Sequence, residues 1–284
     1  MSISLCIPTR GRPGLFREAA LEILGNSELS ETRVVIGIDT DDAESIAAAG
    51  SEEIVRNKQI IVSTASREDS LGAKYNRVAA ARPADIYVLW ADDAVILTKG
   101  WDRTIEDAAR LFPDGMGVIY FGEIPGILQT GIAVTHKFAQ KMGFFCVPYF
   151  PFWWHDTWVD EVARMTDRIV NVNVAAKCLT ELKGTSRGVR EIAWWGNFFE
   201  STRPQRIQAA NAIIEEGTDP PYRKLRLRQI MPDVVTFLSH RNSKCTNPVS
   251  AAELEKHYSF DAPADDRYLR VKQAAEGLLA SIKQ

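Results

Sequence analysis

The 284-residue sequence has no C-x-x-C pair, and its four cysteines, Cys6, Cys146, Cys178 and Cys245, are far apart. That spacing fits reduced, mostly structural thiols better than a disulfide framework or a zinc site. Histidine is equally scarce, with only four in the chain. No apolar run approaches the roughly 20 residues that cross a bilayer. The first apolar run is too short for a signal peptide and its basic residues follow it, so a cytoplasmic protein is expected. There is neither an internal repeat nor a low-complexity segment. The formal charge of −3 gives no global argument for nucleic acid or a membrane. No G-x-G-x-x-G follows the first apolar run, and no G-x-x-x-x-G-K-[ST] occurs, which disfavours a dinucleotide fold and removes a P-loop.

What is present is an ordinary globular composition, 45% hydrophobic and 25% charged. It suits one large domain, or one domain with a substantial extension. Short β-branched runs alternate with helical patterns. Ile3 to Ile7, Arg33 to Ile38, Gln59 to Ser63 and Ile86 to Ala91 read as strands. Helices are expected from about Leu15 to Leu24 and from an N-cap at Ser70 to Ala81. This alternation predicts an α/β fold with a mostly parallel sheet covered on both faces. Further strands are expected at Gly117 to Phe121, Gly131 to Thr135 and Arg168 to Val174. Helices are expected after Asp102 to Leu111, at His136 to Met142 and at Thr157 to Met165. Beyond about Thr180 the pattern becomes mostly helical, with Pro204 to Glu216, Ala251 to His257 and Asp265 to Ile282. The chain therefore divides into a sheet domain, 1–180, and a largely helical C-terminal extension, 181–284, packed on it.

The ends of three strands carry polar groups: Pro8-Thr9, Asp39 and Asp92-Asp93. In an open α/β sheet such ends converge on one rim, where ligands bind. Two adjacent carboxylates at the end of a buried strand are costly unless something positive meets them. A divalent cation shared with a phosphate would do so. The plainer alternative is that Asp92-Asp93 merely caps a turn between two apolar runs.

Four motifs carry a resemblance: S-L-C-I-P-T-R-G-R-P, V-V-I-G-I-D-T-D-D, L-G-A-K-Y-N-R-V-A-A-A and I-Y-V-L-W-A-D-D-A-V-I-L-T-K-G-W-D. In order and spacing, over roughly the first 110 residues, the sequence resembles family 2-type glycosyltransferases of the GT-A fold. The resemblance implies that Pro8, Thr9 and Arg10 contact a nucleotide and that Asp39 hydrogen-bonds its base. Lys74 and Asn76 fall where the family contacts base, ribose or phosphate. Asp92-Asp93 matches the D-x-D-type motif, although Trp90-Ala91 stands where a further aspartate is customary. Asp93 is then the main ligand of Mn²⁺ or Mg²⁺, and Asp92 meets ribose or metal.

The segment F-W-W-H-D-T-W-V-D-E occupies the distance of the family's acceptor-side acidic motif, with Asp156 as the implied general base and Asp160 as fallback. Alternatively, Thr157 to Asp160 forms a capping box and Asp156 only precedes the helix. His155 and His240 are the candidates to complete the metal shell, against the plainer alternative of solvated loop histidines. The aromatic run Phe150 to Trp154, with Trp158, is expected to be core, with one or two rings at most facing a sugar or base. The basic stretch Tyr222 to Arg228 is either a solvated edge or an arm over a diphosphate.

The function implied is metal-dependent inverting transfer of a sugar from a nucleotide-sugar donor, a UDP-sugar first. The acceptor would be a glycan, a lipid-linked sugar or a base in DNA. The alternatives are a nucleotidyltransferase, disfavoured because P-T-R-G-R-P replaces its glycine-rich loop, and a catalytically inactive nucleotide-binding scaffold.

Overall fold

The computed structural model describes residues 1–121, 131–151, 154–179, 191–218 and 265–282. Strand β1 (Ile3–Pro8) is followed by helix α1 (Pro13–Gly25), whose Pro13 suits a first helical turn. Strand β2 (Thr32–Asp39) leads to two short helices, α2 (Ala43–Ala49) and α3 (Glu52–Arg56), and then to β3 (Ile60–Ala65). Helix α4 (Leu71–Ala81) begins at Ser70, whose hydroxyl accepts from the Ala73 N–H at 3.1 Å, as the sequence predicted. It returns the chain to β4 (Ile86–Leu89).

After the Asp92-Asp93 turn come β5 (Ala94–Ile96), α5 (Trp101–Ala109), β6 (Val118–Phe121), β7 (Gly131–Thr135) and α6 (His136–Met142). Helix α7 (His155–Met165), β8 (Ile169–Asn171) and β9 (Ala176–Cys178) complete the sheet region. The described part of the C-terminal region is helical: α8 (Ile192–Ser201), α9 (Arg203–Glu216) and α10 (Asp266–Ile282).

Seven strands form one sheet in the order β3-β2-β1-β4-β7-β6-β8, and β5 pairs with β9 in a small second sheet. The first four strands are mutually parallel, whereas β7 runs antiparallel to both β4 and β6. Both faces are covered, which explains why β1, β2 and β4 read as near-continuous apolar runs. On one face Phe16, Ile23, Trp101 and Ile105 pack on Leu5, Ile36 and Val88. On the other, Val78, Phe138, Trp158 and Val162 pack on Cys6, Val35 and Leu89. Trp195 and Phe198 of α8, Ile213 of α9 and Val271 of α10 join this second cluster, so the C-terminal helices share the core of the sheet.

One close approach fixes the layer beside the rim. A Cβ on Gly72 would lie 2.0 Å from the Val147 carbonyl oxygen and 2.8 Å from its carbon. Only glycine lets α4 meet that backbone, and α4 carries Lys74. Gly72→Ala is expected to destabilise the fold by about 1–3 kcal/mol, the usual scale of overpacking, read as a lowered urea midpoint with an unchanged slope. A midpoint equal to wild type would mean that the 147 segment yields freely.

Candidate functional site

Parallel register brings the ends of β1, β2 and β4 together: Pro8 pairs with Gly37, and Cys6 with Leu89. The chain leaves β4 into a turn held by groups other than the side chains of the two aspartates. The Tyr75 hydroxyl donates to the Trp90 carbonyl at 2.9 Å, the Trp90 indole N–H donates to the Ala94 carbonyl at 2.8 Å, and the Leu179 N–H donates to the Asp93 carbonyl at 2.7 Å. Trp90, where an aspartate would be customary, is 1% exposed and stacks on Phe121 with ring centroids 5.5 Å apart. The side chains of Asp92 and Asp93 are thereby left available for other work.

Asp92 Oδ2 accepts from the Thr9 hydroxyl at 2.7 Å, while Arg12 Nη1 donates to Asp92 Oδ1 at 2.8 Å and to Asp93 Oδ2 at 2.9 Å. Burial pushes the Asp92 carboxyl pKa up, against the pull of Thr9 and Arg12 downward. Arg12 was not singled out from the sequence. It lies inside the quoted P-T-R-G-R-P, but nothing in spacing shows where a long side chain ends. The clue was chemical: a buried aspartate pair needs a positive partner.

Asp39 is 1% exposed and paired on both oxygens: Lys74 Nζ donates to Oδ1 at 2.6 Å, and Arg10 Nη1 donates to Oδ2 at 3.0 Å. Lys74 also donates to the Thr9 carbonyl at 2.8 Å, which ties the ends of β1 and β2 to α4. Burial pushes the Lys74 pKa down, and Asp39 pulls it back. Arg10 further holds Asp41 through two bonds of 2.5 and 2.8 Å, which raises the Arg10 pKa. Arg67, also missed in the sequence, reaches to 3.9 Å from Asp39. Its pKa is pushed down by burial and by the like charges of Arg267 and Arg10. Thr9, Arg10, Asp39, Lys74, Asp92 and Asp93 thus form one rim, with Pro8 as the last residue of β1.

The other expected residues fall elsewhere. The Asn76 carboxamide accepts from the Phe145 and Cys146 N–H groups at 3.1 and 2.9 Å and donates to the Cys146 carbonyl at 2.7 Å. It secures the segment after α6. His155 is buried, with Nδ1 3.1 Å from the Val147 carbonyl and its pKa lowered first by burial. Among the described residues no group of three His, Cys, Asp or Glu side chains is arranged to hold a metal, so His155 does not join Asp92 and Asp93. His240 and the stretch 222–228 lie outside the described residues.

Asp156 is exposed in the first turn of α7 and accepts from the Thr157 N–H at 2.8 Å. The alternative capping box at Thr157 does not form, because α7 starts two residues earlier, after Trp154 at φ 55°. Trp154 there stacks on Phe150 at 5.7 Å. Asp160 is ion-paired with Arg164 at 2.7 Å. Phe150 and Trp158 are core, whereas Phe152 and Trp153 lie outside the described residues.

Strand register relates α7 to the rim. Leu89 pairs with Ile132, and Ile132 with Tyr120, so Tyr120 on β6 is level with the end of β4. The Tyr120 hydroxyl pKa is raised first by burial, then by the carboxylates of Asp160 and Asp156. Helix α7 packs on β6 on the α4 face and leads into β8, which is parallel to β6 and starts beside Val118, so Asp156 on its first turn lies toward the Tyr120 end of β6.

No protein-family model matches this chain, and no curated protein sequence does. Solved structures do. A fragment of S. aureus TarS, 1–349, aligns over 99% of this chain and 81% of its own, with 14% identity and a TM-score of 0.51. The mannosyltransferase PcManGT from Pyrobaculum calidifontis, solved with GDP-Man and Mn²⁺, aligns over 99% of this chain and 86% of its own, with 13% identity and a TM-score of 0.50. Against a longer S. aureus TarS structure the alignment covers 61% of this chain and 35% of the other, at a TM-score of 0.45 and 14% identity. The first two likenesses show the fold, which is the GT-A fold. Among the described residues no helix is long and apolar enough to cross a membrane.

Proposed function

We propose that this chain is a metal-dependent glycosyltransferase that takes a sugar from a nucleoside-diphosphate donor and inverts the configuration at its anomeric carbon. The observation that carries the reading is the joining of two clusters on one GT-A rim: Thr9, Arg12, Asp92 and Asp93 beside Arg10, Asp39 and Lys74. The first cluster is suited to the diphosphate and the second to the nucleoside. PcManGT, of like fold, is described with GDP-Man and Mn²⁺, which supports a nucleotide-sugar and a divalent ion here.

The donor set fits such an ion. Asp92 and Asp93 offer hard oxygens, and a single cationic nitrogen already bridges them. Mg²⁺ and Mn²⁺ are commonly held by one or two carboxylates with phosphate and water completing the shell. Bound there, the ion would neutralise the charge that develops on the leaving diphosphate. Asp92 and Asp93 would hold it, Thr9 would fix the orientation of Asp92, and Lys74 and Arg10 would keep Asp39 in position for the nucleoside. Asp156, exposed beside this edge, would accept the acceptor hydroxyl proton from the face opposite the nucleotide.

The test is a release assay with UDP- and GDP-sugars in Mn²⁺ or Mg²⁺, run alone and with glycan, lipid-linked-sugar and DNA acceptors. Release of the nucleoside diphosphate, increased by one acceptor class, is the expected result. Release of pyrophosphate from a nucleoside triphosphate instead would identify a nucleotidyltransferase. Tight nucleotide binding with no turnover across the panel would identify a binding protein.

A further inference from the structure

One nitrogen, Arg12 Nη1, touches both carboxylates of the pair, 2.8 Å from Asp92 Oδ1 and 2.9 Å from Asp93 Oδ2. That is the position an ion shared by the two side chains would take. The guanidinium is delivered there by a constrained backbone. Gly11 adopts φ 63° and donates its N–H to Asp42 Oδ2 at 2.7 Å, and Pro13 begins α1 directly afterwards. Asp92 is held independently by Thr9, so its orientation does not depend on Arg12 alone. The Arg12 side chain is 19% exposed, which leaves the guanidinium a way out of the site.

A guanidinium and a divalent ion cannot both bridge the same two oxygens, because they would repel one another at contact distance. Displacing Arg12 alone leaves a partly buried cation without its partners, a cost of the kind seen when buried ion pairs are broken. A diphosphate removes that cost, since a guanidinium binds phosphate oxygens through its planar fork. We infer that Arg12 is the resident counter-ion of the Asp92–Asp93 pair, and that a divalent ion replaces it there when a nucleoside diphosphate takes up the guanidinium. The inference rests on the donor reading above and assigns it a further residue. Arg12 opposes metal binding in the free protein and assists diphosphate binding in the complex. By linkage, metal and nucleotide then strengthen each other's binding by the same factor.

The experiment measures Mn²⁺ binding to the full chain from the signal of free Mn²⁺, without nucleotide and with saturating UDP or GDP. Wild type is expected to bind Mn²⁺ at least about tenfold more tightly with one of the nucleotides. Arg12→Gln and Arg12→Met, both uncharged, are expected to bind Mn²⁺ without nucleotide at least about tenfold more tightly than wild type, and to bind the nucleotide more weakly. Two variants guard against one that fails to fold, checked by circular dichroism. A folded variant whose Mn²⁺ affinity without nucleotide equals or falls below that of wild type overturns the role of Arg12 and leaves the donor reading standing. Equal Mn²⁺ affinity of wild type with and without either nucleotide, when the nucleotide binds, also overturns it. No binding of UDP or GDP by wild type in Mn²⁺ overturns the donor reading itself.

Discussion

Replacing Asp156 by Asn is expected to leave donor binding within about twofold of wild type and to reduce turnover by roughly 10²- to 10⁴-fold, the usual contribution of a positioned general base. The substitution keeps the shape of the side chain and its acceptor oxygen for the Thr157 N–H, so α7 should start where it does now. What is lost is the ability to take a proton. Asp156 is exposed and on the first turn of α7, whereas the donor-side groups come from β1, β2, α4 and the turn after β4. Nucleotide affinity is therefore the control. Turnover is measured with the best donor from the panel and its acceptor, and affinity by calorimetry with the nucleoside diphosphate. Normal turnover would reject Asp156 and move attention to Asp160. Asp160 is the less available of the two, because Arg164 already engages its carboxylate at 2.7 Å.

The parallel half of the sheet was legible chiefly where its strands, β1, β2 and β4, are buried on both faces and lead into polar residues. Ile3 to Pro8 and Val34 to Ile38 announce themselves as near-continuous apolar runs, and the Ser70 cap and Pro83 bracket α4. The order of the remaining strands was not legible. Nothing in Gly131 to Thr135 says that β7 runs antiparallel between β4 and β6, because pairing direction is a property of the whole sheet. Helices α2 and α3 follow a run of aspartates that reads as loop. Helix α8 is so aromatic that its apolar period is blurred. It buries Trp195 and Phe198 against Phe150, which also accounts for the aromatic run as core.

In the candidate site, residues close to strand ends could be placed from sequence, because the backbone carries them to the rim. Thr9, Asp39, Asp92 and Asp93 are of this kind. Residues whose contacts depend on side-chain reach or on neighbouring elements were not so readable. Arg12 and Arg67 reach the site from loops. Asn76 is only two residues from Lys74 in sequence, yet its carboxamide is engaged by the 145–146 backbone. His155 and Asp156 are adjacent in sequence, but the helix turns one into the core and leaves the other in solvent.

Asp93→Ala is expected to remove metal-dependent nucleotide binding, lowering affinity for the nucleoside diphosphate in Mn²⁺ by about 100-fold, or about 2.7 kcal/mol. The argument is one of charge. Asp92 and Asp93 carry two negative charges, and Arg12 supplies one positive charge between them. With Asp93 gone, Arg12 and Asp92 form a balanced pair at 2.8 Å, and a divalent ion would have to break it for a single carboxylate. The same balance predicts little loss of stability, because the remaining carboxylate keeps both Thr9 and Arg12. Asp92→Ala should behave differently. It strips the Thr9 hydroxyl of its buried acceptor and leaves Arg12 with the less buried partner, so stability should fall together with affinity. Thermal unfolding without ligand, set beside nucleotide titrations with Mn²⁺ and with a chelator, separates the two substitutions. If Asp93→Ala retains the wild-type difference between Mn²⁺ and chelator, Asp93 is not a ligand of the ion. Asp93 would then serve only to help Asp92 hold Arg12.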